Sequence, residues 1–346
     1  YKCSPARDIM RRTALSLAAV GSVALLVVLQ RRRRSPRHRH LAWVTRLLAE
    51  KRLAALHREI YVAVSLALEC GAAMERATAS AVVWKDDGGI DPVTATDQAN
   101  ETLVTETLLR HFPEHRVIGE EAAAAGSGVP TIAASDPPTW YVDPIDGTQN
   151  FVHSLPIACV SIGLAVGGVP VLGVIYHPGM DELFVGLTAA AASPPLASDA
   201  SGSYLNGSRL RTDQKASALS EAMLLTDVGY ERSAAGVDRM GAVLARLLGR
   251  NVRALRILGS TALGLAWVAA GRASAFYAGL HKRDCPKQWD WCAGHAIVCA
   301  AGGVFVRHGS RAEQARPFDI DCAGGVCAGT PALAAVLQRE LSTTPE

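Results

Sequence analysis

No two of the eight cysteines stand as a CxxC pair, and no histidine-rich stretch accompanies them. That spacing excludes a structural zinc site. Cys3, Cys70, Cys159, Cys285, Cys292, Cys299, Cys322 and Cys327 include several in apolar runs, where a thiol behaves as a small buried hydrophobe. They read as free thiols of a reducing compartment. Charge is scarce as well. Charged residues make up 19% and hydrophobic residues 49%, which excludes a disordered chain and makes a sizeable core easy to bury. No repeat period is visible.

The charge that is present is unevenly placed. Residues 1–60 hold fourteen Lys/Arg against three Asp/Glu, while the rest of the chain holds 21 against 29. A basic tail of net +11 therefore precedes an acidic body of net −8. An acidic body repels nucleic acid polymers and suits a site rich in cation-binding carboxylates. Within the tail, residues 13–29 form an uncharged apolar run, with Arg11 and Arg12 before it and Arg31 to Arg34 after it. A single-pass anchor is the favoured reading, at the short end of the membrane-spanning range. A cleaved targeting segment, secretory or organellar, and a soluble core helix are the alternatives. For an anchor, the larger basic block after the run puts the body on the cytosolic side. The expected division is a tail over 1–40 and a catalytic domain over 41–346.

In that body, Leu53, Leu56, Ile60, Val64 and Leu68 recur at helical spacing, which predicts a helix from 41 to about 79. A second helix is expected over 97–112, ended by Pro113, and then a short strand over 115–118. Another strand, 140–142, breaks at Asp143-Pro144. Strands follow over 157–166, 170–177 and 182–187, with a hairpin tip at 202–207. Thereafter strands and helices alternate: 223–227, 237–248, 252–258, 261–270, 273–277, 290–301 and 304–306. A meander framed by such alternation suggests layered α/β sheets rather than a closed barrel.

Four segments carry the chemistry. In Trp140-Tyr-Val-Asp143-Pro-Ile-Asp146-Gly-Thr148, a hydrophobic strand ends and two carboxylates follow three residues apart. Pro144 and Gly147 fix the turn, which can aim Asp143, Asp146 and the Ile145 carbonyl at one point. Hard divalent cations take this all-oxygen ligation. Thr148 starts the next helix, where free amides favour an anion. Gly119-Glu120-Glu121 ends a strand and offers a second carboxylate source. Trp289-Asp290-Trp291-Cys292-Ala293-Gly294 places Asp290 at the start of an apolar helix. Asp91-Pro-Val-Thr-Ala-Thr-Asp97 offers Asp97, with Lys85 upstream. Taken singly, these are a turn, an acidic loop, two helix-capping aspartates and a surface lysine.

Together they resemble the inositol monophosphatase family, within the lithium-sensitive, magnesium-dependent phosphatase superfamily. The segments 143–148 and 289–294 match that family's two signatures, and the likeness runs from about Leu56 to the C-terminus. The resemblance implies an α/β (α+β) fold, a layered αβαβα sandwich of the inositol monophosphatase / fructose-1,6-bisphosphatase type. It implies two or three Mg2+ per site, a small phosphorylated metabolite as substrate, and a homodimer. Residue by residue, Glu120 matches a ligand of the first metal. Asp143 matches the carboxylate bridging two metals, and Ile145 lends its carbonyl. Asp146 and Asp290 match ligands of the second metal. Thr148 and Asp97 match the pair that orients the attacking water. The Gly147 and Thr148 amides would hold phosphate, and Gly259, Ser260 and Thr261 would line the alcohol part of the substrate. Lys85 lies near a family lysine, but the loop after it is longer.

The implied reaction is hydrolysis of a phosphate monoester, most simply an inositol phosphate. One metal acidifies a water, and a second about 4 Å away clamps the leaving oxygen. Positioning and charge neutralisation dominate such a reaction. Neither a cysteine nor a histidine nucleophile is needed, so His153 and His295 read as structural. Two departures bear on the substrate. Ala278 falls where family members carry a sugar-contacting glutamate, and about six extra residues, with Lys282, Arg283, Asp284 and Lys287, separate His281 from Trp289. A 3′(2′),5′-bisphosphate nucleotidase or a histidinol-phosphatase of the same superfamily is the alternative. A membrane-anchored scaffold that keeps the fold without turnover is the rival of another class.

Overall fold

The computed structural model describes residues 36–50, 56–77, 82–85, 89–126, 136–191 and 201–342. The apolar run at 13–29 lies outside them. Among the described residues no helix is long and apolar enough to cross a membrane.

Two helices open the described chain, α1 (Pro36–Ala49) and α2 (His57–Arg76). One continuous helix was expected from 41 to about 79. Instead Leu56 adopts a left-handed conformation (φ 61°) that cannot continue a right-handed helix, and α2 starts after it. Helix α1 runs across position 40. It is tied down by Arg39 and His40, whose side chains bond Asp181 at 2.5 and 2.7 Å.

A hairpin of β1 (Val82–Trp84) and β2 (Pro92–Thr94) precedes α3 (Ala95–His111). Then come β3 (Arg116–Gly119), α4 (Glu120–Ala125), β4 (Thr139–Asp146) and α5 (Thr148–Val152). The meander is β5 (Cys159–Val166), β6 (Val169–His177), β7 (Glu182–Leu187), β8 (Gly202–Leu205) and β9 (Ser208–Arg209). Its last turn is Asn206-Gly207, both at positive φ, which suits a two-residue hairpin. The C-terminal half runs β10 (Met223–Thr226), α6 (Ala234–Gly249), β11 (Ala254–Ile257), α7 (Thr261–Ala269) and β12 (Ala275–Ala278). It closes with α8 (Gln288–Ala300), β13 (Val304–Arg307), α9 (Arg311–Gln314), β14 (Gly325–Ala328) and α10 (Pro331–Ser342).

Strands β3 to β9 form one seven-stranded sheet in sequence order, antiparallel except for the β3–β4 pair. A five-stranded sheet has the order β11-β10-β12-β14-β13. Three cores separate the layers. Side chains of α1, α2 and α3 meet one face of the large sheet through Leu47, Ile60, Val64 and Leu108. Helices α7 and α8 fill the space between the sheets with Leu265, Trp291 and Ile297, which meet Phe276 of β12. Helices α6 and α10 cover the far face of the small sheet with Val243, Leu247, Leu333 and Leu337. The result is the expected αβαβα sandwich. Helix α8 lies directly on the large sheet, because a β-carbon on Gly173 would fall 2.0 Å from the Ala293 carbonyl oxygen. The middle layer is what carries Asp290 to the end of β4.

Candidate active site

Asp143 and Asp146 both belong to β4 and are nearly buried, at 3% and 6% exposure. In a regular strand, residues three apart point to opposite faces. Here Asp143 pairs with Ser161 but Asp146 pairs with Cys159, so β4 holds one extra residue between them. This bulge reverses the alternation and lets both carboxylates serve one site. Pro144 lies inside it, where a missing N–H costs no ladder bond. The Ile145 N–H donates to Asp143 Oδ1 at 3.0 Å, which locks the turn.

The strand ends at Gly147, whose left-handed backbone (φ 90°) turns the chain into α5. Thr148 sits 2.9 Å from the Ile145 carbonyl and 3.3 Å from Asp97 Oδ1, both acceptors within reach of its hydroxyl. Asp97 is not the N-cap of α3. Thr94 is, and Asp97 closes a capping box by accepting the Thr94 N–H at 2.9 Å. One Asp97 oxygen is thus spent on the cap and the other faces Thr148. Burial pushes its carboxyl up to about 6 against those hydrogen bonds.

Asp146 is the joint between the two sheets. Ser260 Oγ donates to it, as do the backbone amides of Thr261 and Ala262 at 3.2 and 2.9 Å. The first turn of α7 therefore cradles this carboxylate. Asp290 lies in the first turn of α8 and accepts the Lys287 N–H at 2.5 Å, which leaves its other oxygen available. Ser161 Oγ donates to the Trp289 carbonyl at 3.1 Å and so fixes the start of that helix against β5.

Asp143, Asp146 and Asp290 each offer a carboxylate oxygen, and these three oxygens lie within 4.8 Å of one another. Burial, then repulsion from Glu120 and the neighbouring aspartates, drives Asp143 well above the ordinary carboxylate range. Asp290 rises through burial and then Asp146. Asp146 rises by burial, moderated by Ser260 and Ala262. Three buried like charges in contact are untenable without a cation or protons. An all-oxygen, anionic and buried donor set fits a hard divalent cation.

Glu120 opens α4 beside this cluster. Its Oε1 accepts from Lys85 Nζ at 2.8 Å, and Lys85 also reaches Glu121 at 2.9 Å. Burial pulls the Lys85 ammonium down, but the two carboxylates outweigh it and raise it overall. The lysine is therefore part of the site. Sequence reasoning missed Glu101. Its carboxylate accepts the Glu121 and Ala122 amides at 2.7 and 2.8 Å and so orients the turn that presents Glu120. It stands one helical turn after Asp97 on α3, and that i, i+4 spacing is the signal that could have found it.

A cavity of about 1150 Å³ opens over these groups. Lys85, Glu120, Asp143, Ile145, Asp146, Gly147, Thr148, Gly259, Thr261 and Asp290 line it. Ser260 does not line it; the side chain is turned onto Asp146. Ala278 does not line it either. It is fully buried in the middle core, and its carbonyl accepts from His308 at 2.8 Å. Asp227, Tyr230, Arg283, Asp284 and Lys287 complete the wall. His295 stacks on Phe318 away from the carboxylates, as a structural residue does. All seven cysteines among the described residues are free thiols.

Residues 55–345 match the model of the inositol monophosphatase family. The chain belongs to that family. It is 36% identical over 283 residues to human inositol monophosphatase 2, covering 81% of this chain and 89% of the relative. Tomato inositol monophosphatase 1 is 43% identical over 218 residues, 63% of this chain and 72% of the relative. Among solved structures, inositol monophosphatase from Anabaena superposes with a TM-score of 0.63 at 30% identity, covering 84% of this chain and 97% of that one. The suhB protein of Bartonella henselae superposes at 0.67 with 26% identity, covering 83% and 100%. This inositol monophosphatase family member is thus a metal-dependent phosphoric monoester hydrolase.

Proposed function

We propose that this enzyme hydrolyses inositol monophosphates with magnesium as its metal. The convergence of Asp143, Asp146 and Asp290 within 4.8 Å carries the reading. Asp143, the Ile145 carbonyl, Asp146, Asp290 and Glu120 would hold the ions. When bound, such ions supply Lewis-acid polarisation of phosphoryl oxygens and a lowered pKa for water.

The protein's own groups do the positioning. The Thr148 hydroxyl, backed by Asp97, holds the attacking water in line with phosphorus. Asp97 Oδ1 accepts from that hydroxyl and so fixes its direction. The Gly147 and Thr148 amides take the phosphate oxygens. Helix α5 has only five residues, so these local amides act rather than a macrodipole. Ser260 acts through Asp146, while Gly259 and Thr261 border the alcohol part. The Asn150 amide holds that border by donating to the Leu258 carbonyl at 2.8 Å.

The tail supports a membrane anchor over 13–29 with a cytosolic body, and the family supports a homodimer. Fractionation of the full chain beside a form starting at Pro36 tests the first, and sedimentation tests the second. The activity is tested by phosphate release from inositol 1-phosphate by purified protein. Release that requires magnesium, stops with chelator and is inhibited by lithium is the expected result. No release at any magnesium concentration sinks the proposal.

A further inference from the structure

Beyond the carboxylate cluster the cavity is walled by the loop after β10 and by the 3-10 turn Lys282–Asp284. Loop and turn are bolted together. The Tyr230 N–H donates to the Arg283 carbonyl at 3.1 Å, and the Arg283 N–H donates to Glu231 Oε2 at 3.3 Å. His281 Nδ1 bonds the same Glu231 oxygen at 2.5 Å. The backbones touch as well: a β-carbon on Gly229 would stand 2.9 Å from Asp284 Cα. Asp284 is turned inward. Its Oδ2 accepts the Leu280 N–H at 2.9 Å, and its Oδ1 is sealed from solvent with no hydrogen-bond partner. The bolted loop holds the Tyr230 backbone in a fixed place on the wall.

Tyr230 is the residue of this wall whose polar atom is both free and open. It lines the cavity and is half-buried. Its hydroxyl has no hydrogen-bond partner among the described residues, yet it is not sealed from solvent as the unpaired Tyr141 hydroxyl is. The charges around it give the direction of the ring. Burial raises the phenol above its ordinary range, and Asp91, Glu120, Asp290 and Asp143 follow in that order. No carboxylate of its own loop or of the turn stands ahead of these. The side chain therefore reaches away from Glu231 and Asp284, toward the carboxylate cluster. The phenol keeps its proton there and is a donor. Other side-chain donors at that end are already engaged. Lys85 is held by Glu120 and Glu121, and the Thr148 hydroxyl by the Ile145 carbonyl and Asp97.

We propose that the Tyr230 hydroxyl donates to a phosphoryl oxygen of the bound ester; this rests on the phosphatase reading above. The Gly147 and Thr148 amides come from the end of β4 in the large sheet, and Tyr230 comes from the loop after β10 in the small one. The phosphoryl group is then held from both sheets. An anionic oxygen is the stronger acceptor for a phenol than an alcohol hydroxyl is. The alcohol part, bordered by Gly259 and Thr261, leaves that acceptor role to the phosphate.

The test is Tyr230→Phe, which removes the hydroxyl and keeps the ring. With magnesium, kcat/KM for inositol 1-phosphate and for 2-glycerophosphate should both fall about tenfold, mostly through KM. Their ratio should stay as in wild type, because the lost contact is to the phosphate that both share. Affinity of the magnesium-loaded protein for inorganic phosphate, measured by calorimetry, should weaken by the same factor of about ten. The melting temperature in chelator should move by less than about 2 °C, since the hydroxyl bonds nothing in the protein. A larger drop would show that the hydroxyl supports the fold, and overturns the proposal. A loss confined to inositol 1-phosphate, with phosphate affinity unchanged, overturns it in favour of a contact to the alcohol. Unchanged kcat/KM on both esters and unchanged phosphate affinity overturn the role of Tyr230 alone. Wild type that releases phosphate from neither ester overturns this inference together with the phosphatase reading.

Discussion

The two ends of the active cavity are built on different principles. At the metal end, backbone amides aim the three clustered aspartates. Asp143 is locked by the Ile145 amide, Asp146 by the first turn of α7, and Asp290 by the Lys287 amide. At the alcohol end the wall is loop against turn, held by Glu231 and the bare face of Gly229. Local rules set the Asp143 and Asp290 turns of the first end, so motifs betray it. Long-range packing makes the second, so nothing in a short window does.

The largest expected effect lies at the metal end. Asp290→Asn and Asp146→Asn should each lower turnover by at least about a hundredfold, since loss of even an outer partner of a metal ligand costs 10–100-fold. Without metal, Asp290→Asn should stabilise the fold, since it removes one of several mutually repelling buried carboxylates and keeps an acceptor for the Lys287 N–H; melting should rise by about 2–4 °C. Asp146→Asn should not, because its amide nitrogen would face a donor of the α7 turn. Turnover near wild type at saturating magnesium, or a lower melting point of Asp290→Asn in chelator, would break the contrast.

Next in size is a test at the alcohol end. By sequence position Ala278 is where a sugar-contacting carboxylate belongs, and restoring one there would be expected to improve use of inositol phosphates. The structure reverses this expectation. Ala278 has no exposure and faces the middle core, so Ala278→Glu would bury a charge without a partner. Destabilisation of at least about 3 kcal/mol is expected. Denaturant unfolding measures it. A stable variant with improved KM for inositol 1-phosphate would show that position 278 reaches the substrate after all.

The smallest effect is a pH slope in metal-free protein. Asp97 is raised from 3.8 to about 6, and Asp227 and Asp284 from 3.8 to about 7, chiefly by burial. The folded state thus holds these protons more tightly than the unfolded chain. Their stabilising contribution is complete below 3.8 and is lost as pH rises through 6 to 7. Asp143, Asp146 and Asp290 act in the same direction. Melting temperature in chelator should therefore fall between pH 5 and 8, and magnesium should flatten the slope. An equal slope with and without magnesium would mean that the cation does not neutralise the cluster.

Much of the fold was legible because its elements are long and periodic. Strands β5 to β7 and helices α3, α6, α7 and α8 stand close to where alternation and helical spacing put them. The β1–β2 hairpin was not legible, since strands of three residues carry no period. Helix α10 was overlooked although Leu333, Leu337 and Leu341 mark one face at intervals of four.

What the sequence determined by itself is the metal end and the layered architecture. Asp143-Pro-Ile-Asp146-Gly-Thr148 fixes its own turn through proline, glycine and a backbone bond, and apolar periodicity fixes which elements exist. Only the tertiary structure decided the rest. The bulge that puts Asp143 and Asp146 on one side depends on the register of β4 against β5. The pairing of Lys85 with Glu120, the use of Ser260 on Asp146, the burial of Ala278 and the unpaired oxygen of Asp284 depend on segments distant in the chain. The physical reason is the range of the forces involved. Backbone geometry and capping act over a few residues, whereas burial and charge coupling are properties of the packed whole.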